Sequence, residues 1–219
     1  MSRYVITGAN RGIGLELCRQ LAGRGDEVVA VCRSASAELG DLAISVEAGI
    51  DVADGDSVAE LARRLEGSTV DTLVNNAGIL ERVSLDDLDF ESILRQFEVN
   101  ALGVLRVTSA LRGLLDRGSK VAIVTSLMGS MSDNGSGGSY GYRMSKAAVN
   151  AAGVSLAHDL KRDGIAVALL HPGMVRTAMT SHRGVPVEES ARGLIDRIDA
   201  LTLENSGTFW HADGRELPW

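Results

Sequence analysis

Cysteine is scarce in this chain. Only Cys18 and Cys32 carry a thiol among 219 residues, and they do not form a CxxC pair. Such usage does not build a disulfide framework. Each reads as a small buried residue, one in a predicted helix and one at a predicted strand end, as in a reducing compartment. The four histidines, His158, His171, His182 and His211, lack metal-ligand spacing, so no metal site is expected. Excess positive charge is lacking too. A net charge of −7 argues against a nucleic-acid or anionic-membrane surface, although backbone N–H groups at a helix start can still hold a phosphate. No apolar run approaches the ~18 residues of a membrane span. The opening MSRYVITGAN enters a strand at once and leaves no room for a signal peptide. The expectation is a cytoplasmic protein. With 45% hydrophobic and 23% charged residues, the composition is that of one soluble domain spanning residues 1–219.

Short apolar runs alternate with longer amphipathic ones. Strands are predicted at 3–7, 27–32, about 45–50, 71–75, 120–125, 165–170 and 207–210, several of them nearly continuous Val, Ile, Leu and Ala. Strands buried on both faces of a parallel sheet read this way. Helices are predicted near 12–24, 54–66, 86–117, 141–162 and 187–201. The order implies an α/β fold, a Rossmann-type doubly wound parallel sheet of about seven strands with helices on both faces. The Gly/Ser-rich stretch 129–141 reads as a surface loop.

After the first strand comes TGANRGIG, with Gly8, Gly12 and Gly14. Glycines here permit a tight turn and a close approach of the helix start to a pyrophosphate. Asn10, Arg11 and Ile13 belong to the same turn. About 20 residues on, where an acid would bind a ribose 2′-hydroxyl, the sequence reads AVCRS. The acid is missing, and Arg33 suits a 2′-phosphate. NADP(H) is therefore preferred, with NAD(H) as the alternative. A further signal is SYGYRMSKAAVN at 139–150. Tyr142 and Lys146 stand four apart on one helical face, whereas the residue four beyond Tyr140 is Met144.

Taken in order, TGANRGIG at 7–14, DV at 51–52, NNAG at 75–78, Asn100, Ser126, YRMSK at 142–146 and HPGMVRT at 171–177 resemble the short-chain dehydrogenases/reductases. The C-terminal part, ending DGRELPW, is similar to their C-factor branch. The resemblance implies a catalytic set of Asn100, Ser126, Tyr142 and Lys146. Tyr142 would be the general acid in reduction and Lys146 would hold the nicotinamide ribose and lower the phenol pKa. Ser126 would bond the substrate oxygen, and Asn100 would help hold a water serving Lys146. It also places Asp51 and Val52 at the adenine, Asn75, Ala77 and Gly78 on the adenine-ribose side, and Pro172, Gly173, Val175 and Thr177 at the nicotinamide end. Ser126 precedes Tyr142 by sixteen residues, more than many relatives show, and Ser130 and Ser132 are the fallback serines.

The implied chemistry is hydride transfer between the dinucleotide and a small-molecule carbonyl or alcohol, with a proton moved at the oxygen as charge develops. Asn100 sits where a helix is predicted and is a poor helix former, so a local kink or a bound water is expected there. Residues 178–187 are read as a short substrate lid. The apolar helices 86–117 and 141–162 suggest a homodimer or homotetramer. The rival reading is a nucleotide-binding signalling protein of C-factor type with vestigial catalysis.

Overall fold

The computed structural model describes residues 1–219. Seven strands form one all-parallel sheet in the order β3-β2-β1-β4-β5-β6-β7. They are β1 (Arg3–Thr7), β2 (Glu27–Cys32), β3 (Ser45–Ala48), β4 (Thr72–Asn75), β5 (Lys120–Val124), β6 (Ala166–His171) and β7 (Phe209–His211). The principal helices are α1 (Gly12–Gly23), α2 (Ala37–Gly40), α3 (Gly55–Arg64), α4 (Phe90–Phe97), α5 (Gly103–Leu111), α6 (Tyr140–Lys161) and α7 (Val187–Asp199).

Successive strand residues point to opposite faces, and this chain makes both faces apolar. Val5, Val29, Val31, Leu73, Val121, Ile123 and Val167 enter the core beneath α3, α5 and α6. Tyr4, Ile6, Val28, Ala30, Val74, Ala122 and Leu170 enter the core beneath α1 and α7. Full burial of a side chain such as Ile6 or Leu73 contributes about 1.5–3 kcal/mol. The near-continuous aliphatic runs are thus explained by a sheet covered on both sides. No helix is long and apolar enough to cross a membrane.

One predicted element is divided. The expected helix over 86–117 begins at Phe90, passes through a π-helical turn at Glu98–Leu102, resumes as α5 and ends in a 3-10 turn at Arg112–Leu114. Asp89 starts it by accepting from the Ser92 N–H at 2.9 Å, which satisfies one of the free donors of the first turn. Asn100 lies inside the π turn. The expected kink therefore takes the form of one wide helical turn. The apolar surplus lies at and just before the start of this stretch. Val104, Val107 and Leu111 are buried against the sheet, while Leu85, Phe90 and Leu94 are 65–69% exposed.

The chain winds from β1 outward to β3, then returns to β4 on the other side of β1. The crevice between the carboxyl ends of β1 and β4 is the switch point of the sheet, where ligands of such folds bind.

Candidate active site

Two turns flank the switch point and are locked together by hydrogen bonds. The Thr7 hydroxyl accepts from the N–H groups of Asn76 and Ala77 at 3.0 and 3.1 Å. The Asn76 amide donates to Thr7 O at 2.9 Å. The glycines fit this clamp and little else would. Gly8 has φ +66°, and a methyl there would lie 2.8 Å from Ala77 Cα. A methyl on Gly14 would meet Gly8 O and lie 2.6 Å from Asn76 Nδ2. Helix α1 has no acidic residue in its first turn, and Arg11 is exposed beside it. The helix start is an open anion cradle. Asn10 braces it by donating to Ser34 O at 2.9 Å, and Ile13 packs toward the core beneath α1.

Arg33 and Asp51 meet at the outer end of the crevice, Nη1 3.8 Å from Oδ2, both well exposed. Asp51 Oδ1 accepts from Ala53 N–H at 2.9 Å, which shapes the turn. Val52 is buried, and a methyl on Gly103 would touch its Cγ2 at 3.0 Å. Asn75 faces away from the crevice. Its amide donates to Thr108 Oγ1 on α5 at 3.1 Å and is fully buried, leaving only its backbone on the crevice side. Asn75 follows the alternation of Leu73, whose side chain also points to the α5 side. Ala77 and Gly78 continue along the crevice floor.

At the inner end, the Ser190 hydroxyl of α7 donates to Pro172 O at 2.7 Å. Gly173 has φ +84°, and Val175 is buried. Thr177 comes round to the glycine turn, its Cγ2 3.4 Å from where a Gly12 methyl would stand. The nicotinamide end of the expected cofactor path therefore adjoins the glycine turn. Residues 178–187 close on themselves. Val175 bridges Val185, the His182 N–H donates to Thr177 O at 2.9 Å, and Val185 N–H donates to Met174 O at 2.8 Å.

Ser126, Tyr142, Lys146 and Asn100 are brought together, all 7% exposed or less. Ser126 stands two residues past β5 and caps a 3-10 turn, Leu127–Gly129, accepting from Met128 N–H at 3.1 Å. That turn rests on α6, since a methyl on Gly129 would meet the Lys146 carbonyl group at 2.7–2.8 Å. Lys146 donates to Val124 O at 3.0 Å, with Nζ 5.7 Å from the Tyr142 ring centroid. Asn100 donates to Ile79 O and Ser145 Oγ and accepts from Ile79 N–H, all at 2.8–3.0 Å. A methyl on Gly78 would sit 3.2 Å from Asn100 Oδ1 and 3.7 Å from Lys146 Nζ. Asn100 and Lys146 thus face each other across the Gly78 Cα. The fallback serines have other partners. Ser130 and Ser132 lie 3.3 Å apart, and Ser132 donates to Trp219 O through Oγ at 2.8 Å and through its N–H at 3.0 Å. Trp219 itself stacks on Phe209 at 5.3 Å.

The electrostatics correct one expectation. Burial raises the Tyr142 pKa, opposed only by the Ser126 hydrogen bond. Desolvation outweighs any lowering by the ammonium, which is held toward Val124 O and is itself destabilised. Burial pushes Lys146 down to about 8, since no carboxylate accompanies it. The sequence reading also passed over Thr7, Asn76 and Ser145 as braces, although all three lie inside motifs it had singled out.

A glycine cradle at the switch point, with a buried tyrosine, lysine and serine beside it, places the molecule among the dinucleotide-binding oxidoreductases of Rossmann type. The chain belongs to the short-chain dehydrogenase family, whose family model matches residues 3–186. It is 46% identical to the 1-hydroxy-2-glutathionyl-2-methyl-3-butene dehydrogenase of Rhodococcus sp. (strain AD45), over the full length of both chains. It is 47% identical to the C-signal of Myxococcus xanthus over 154 residues, 68% of this chain and 93% of that one. Among solved structures, the NADPH-bound carbonyl reductase from chicken fatty liver superposes with a TM-score of 0.91 at 26% identity, covering 100% of this chain and 99% of that one.

Proposed function

We propose that the protein is an NADP(H)-dependent oxidoreductase acting on carbonyl or alcohol substrates, with Tyr142 as the general acid and base. The observation that carries this reading is the enclosure of Tyr142, Lys146 and Ser126 together, beside a cradle that only glycines permit. When bound, the nicotinamide supplies hydride to, or takes it from, the substrate carbon. The glycine turn with Asn10, Arg11 and Ile13 would hold the pyrophosphate, and Arg33 the 2′-phosphate. Asp51, Val52, Ala77, Gly78 and the Asn75 backbone would line the adenosine half. Pro172, Gly173, Val175 and Thr177 would line the nicotinamide half. NADP(H) is supported by Arg33 and by the NADPH-bound carbonyl reductase.

Tyr142 releases its proton to the substrate oxygen as charge develops there, and Ser126 Oγ donates a second hydrogen bond to that oxygen. Lys146, near 8, remains largely charged at neutral pH. It favours the phenolate left behind, a pull that burial outweighs in the resting phenol. The Lys146 Nζ has donors beyond the one given to Val124 O, and a water between it and Asn100 would serve as the relay. The compact 178–187 loop is the substrate lid.

The likeness to C-signal supports a second reading, a nucleotide-binding signalling protein with weak catalysis. NADPH oxidation over a panel of ketones, aldehydes and quinones separates the two. The catalytic reading expects Tyr142→Phe and Lys146→Ala to reduce kcat by at least about 100-fold. Cofactor binding by Tyr142→Phe is expected to persist. Equal, negligible turnover by the parent and both variants, with cofactor still bound, would favour signalling.

A further inference from the structure

Two enclosed polar atoms near this site have no partner within the chain, Asn150 Nδ2 and His171 Nδ1. Asn150 is 4% exposed, and its Oδ1 already accepts from the Thr125 hydroxyl at 2.6 Å. Leaving a buried donor unmatched is costly, so something is expected between the two atoms.

The fold brings them to one place. Helix α6 lies across β5 and β6, with Gly153 seated directly on them. A methyl there would meet Leu169 Cδ2 at 2.7 Å and Ile123 Cδ1 at 3.2 Å. Two residues further along those strands, on the same face, stand Thr125 and His171. Val124 pairs with Leu170, and the Thr125 N–H continues the ladder by donating to Leu170 O at 2.8 Å. One turn back along α6 from Gly153 stands Asn150, bonded to Thr125 and over the same face of the sheet as His171 on the neighbouring strand. One further turn back is Lys146, bonded to the carbonyl of Val124. On its other side His171 meets His211 edge-on, with ring centroids 5.1 Å apart, and His211 Nδ1 accepts from Asp213 N–H at 3.0 Å. His211 Nε2 in turn lies 3.4 Å from where a Gly173 methyl would be.

We propose that Asn150 Nδ2, His171 Nδ1 and Thr125 Oγ1 enclose one water, and that this bridge makes His171 a positioning residue between Lys146 on α6 and the Pro172–Thr177 segment. Three polar partners are the usual complement of a buried water. In this bridge the water donates to His171 Nδ1, which leaves the ring proton on Nε2 in the neutral tautomer. Neutrality also matters for Lys146, which would otherwise share its enclosure with a second cation. The groups facing His171 are His211, Arg215 and Asp213 from β7 and the turn after it, and Lys146 from α6. Burial pushes its imidazolium down to about 4.

The role in catalysis rests on the proposed function, but the bridge itself can be tested without turnover. Nitrogen-15 NMR of the full chain follows the His171 tautomer and titration, with Asn150→Asp and Asn150→Ser as variants. In the parent, a single neutral Nε2–H form is expected to persist down to pH 5. Asn150→Asp removes the donor and adds an acceptor, so His171 should become Nδ1–H and protonate at least about one pH unit higher. The acid limb of kcat should move up with it, while dinucleotide affinity stays within about twofold. Asn150→Ser, which keeps a donor, should retain the parental tautomer. A parental His171 that titrates near 6.5 as mixed tautomers, or one indifferent to Asn150→Asp, would overturn the bridge. A His171 that responds as described while the acid limb of kcat stays put would keep the water and overturn the positioning role.

Discussion

Lys146→Met should make the protein more stable and inactive. In the parent, a fully enclosed ammonium has one carbonyl acceptor and no carboxylate, and its pKa falls from 10.5 to about 8. That gap corresponds to about 3 kcal/mol of native-state penalty when the group is charged. Replacement by methionine removes the penalty but leaves Val124 O without its donor, which costs about 1 kcal/mol. The net gain at pH 7 is about 2 kcal/mol, or about 4–8 °C in Tm for a chain of this length. The sign with pH is fixed. The native group loses its proton at about 8 and the unfolded one at 10.5, so between these values the unfolded chain holds more protons and parental stability rises with pH. The penalty is complete below pH 8 and fades above it. The advantage of Lys146→Met should therefore be greatest near pH 7, fade above pH 8 and give way to a deficit of about 1 kcal/mol by about pH 10.5. Calorimetry or denaturant unfolding of both proteins across pH 6.5–10.5 measures this. A methionine variant less stable than the parent at pH 7, or a difference independent of pH, would refute the reasoning, because either means the ammonium is not isolated.

Two further outcomes are expected. Arg33→Ala should weaken NADPH binding by about 10–100-fold, the worth of a charge-assisted contact, while NADH changes little; equal losses in a fluorescence titration with both would remove Arg33 from phosphate recognition. The exposed Leu85, Phe90 and Leu94 are expected to be covered in a homodimer or homotetramer, so light scattering should give at least twice the 23.1 kDa of one chain, and Leu94→Glu should lower that mass.

The sequence displayed the sheet well because its strands are buried on both faces, so their aliphatic runs are long and unambiguous. The glycine turn and the Tyr142–Lys146 pair were legible for a similar reason: backbone approach and helical spacing are local properties. Asn100 shows the boundary. Its poor helix propensity gave notice of an irregularity, but the π turn depends on Ile79, which lies 21 residues away and takes both ends of its amide. Asn75 and Asn76 show it again. Adjacent and chemically identical, they differ by one step of strand alternation. One is sent to Thr108 in the core and the other to the glycine turn.

The Tyr142 phenol was the hardest feature to read, because its pKa depends on two opposed environments. Spacing along α6 places an ammonium four residues on, which by itself lowers the pKa. Folding encloses both groups and directs the ammonium to Val124 O, so desolvation prevails and the phenol moves the other way. The two effects have different consequences for the chemistry. An acidified phenol would be partly ionised before substrate arrives and unable to donate. A phenol kept neutral by burial retains its proton until charge develops on the substrate oxygen, and the neighbouring ammonium favours the phenolate then left behind. Under the proposed function, enclosure would suit Tyr142 to donate its proton in reduction at neutral pH. It carries a stability cost at Lys146 that a site without chemistry would have no reason to keep.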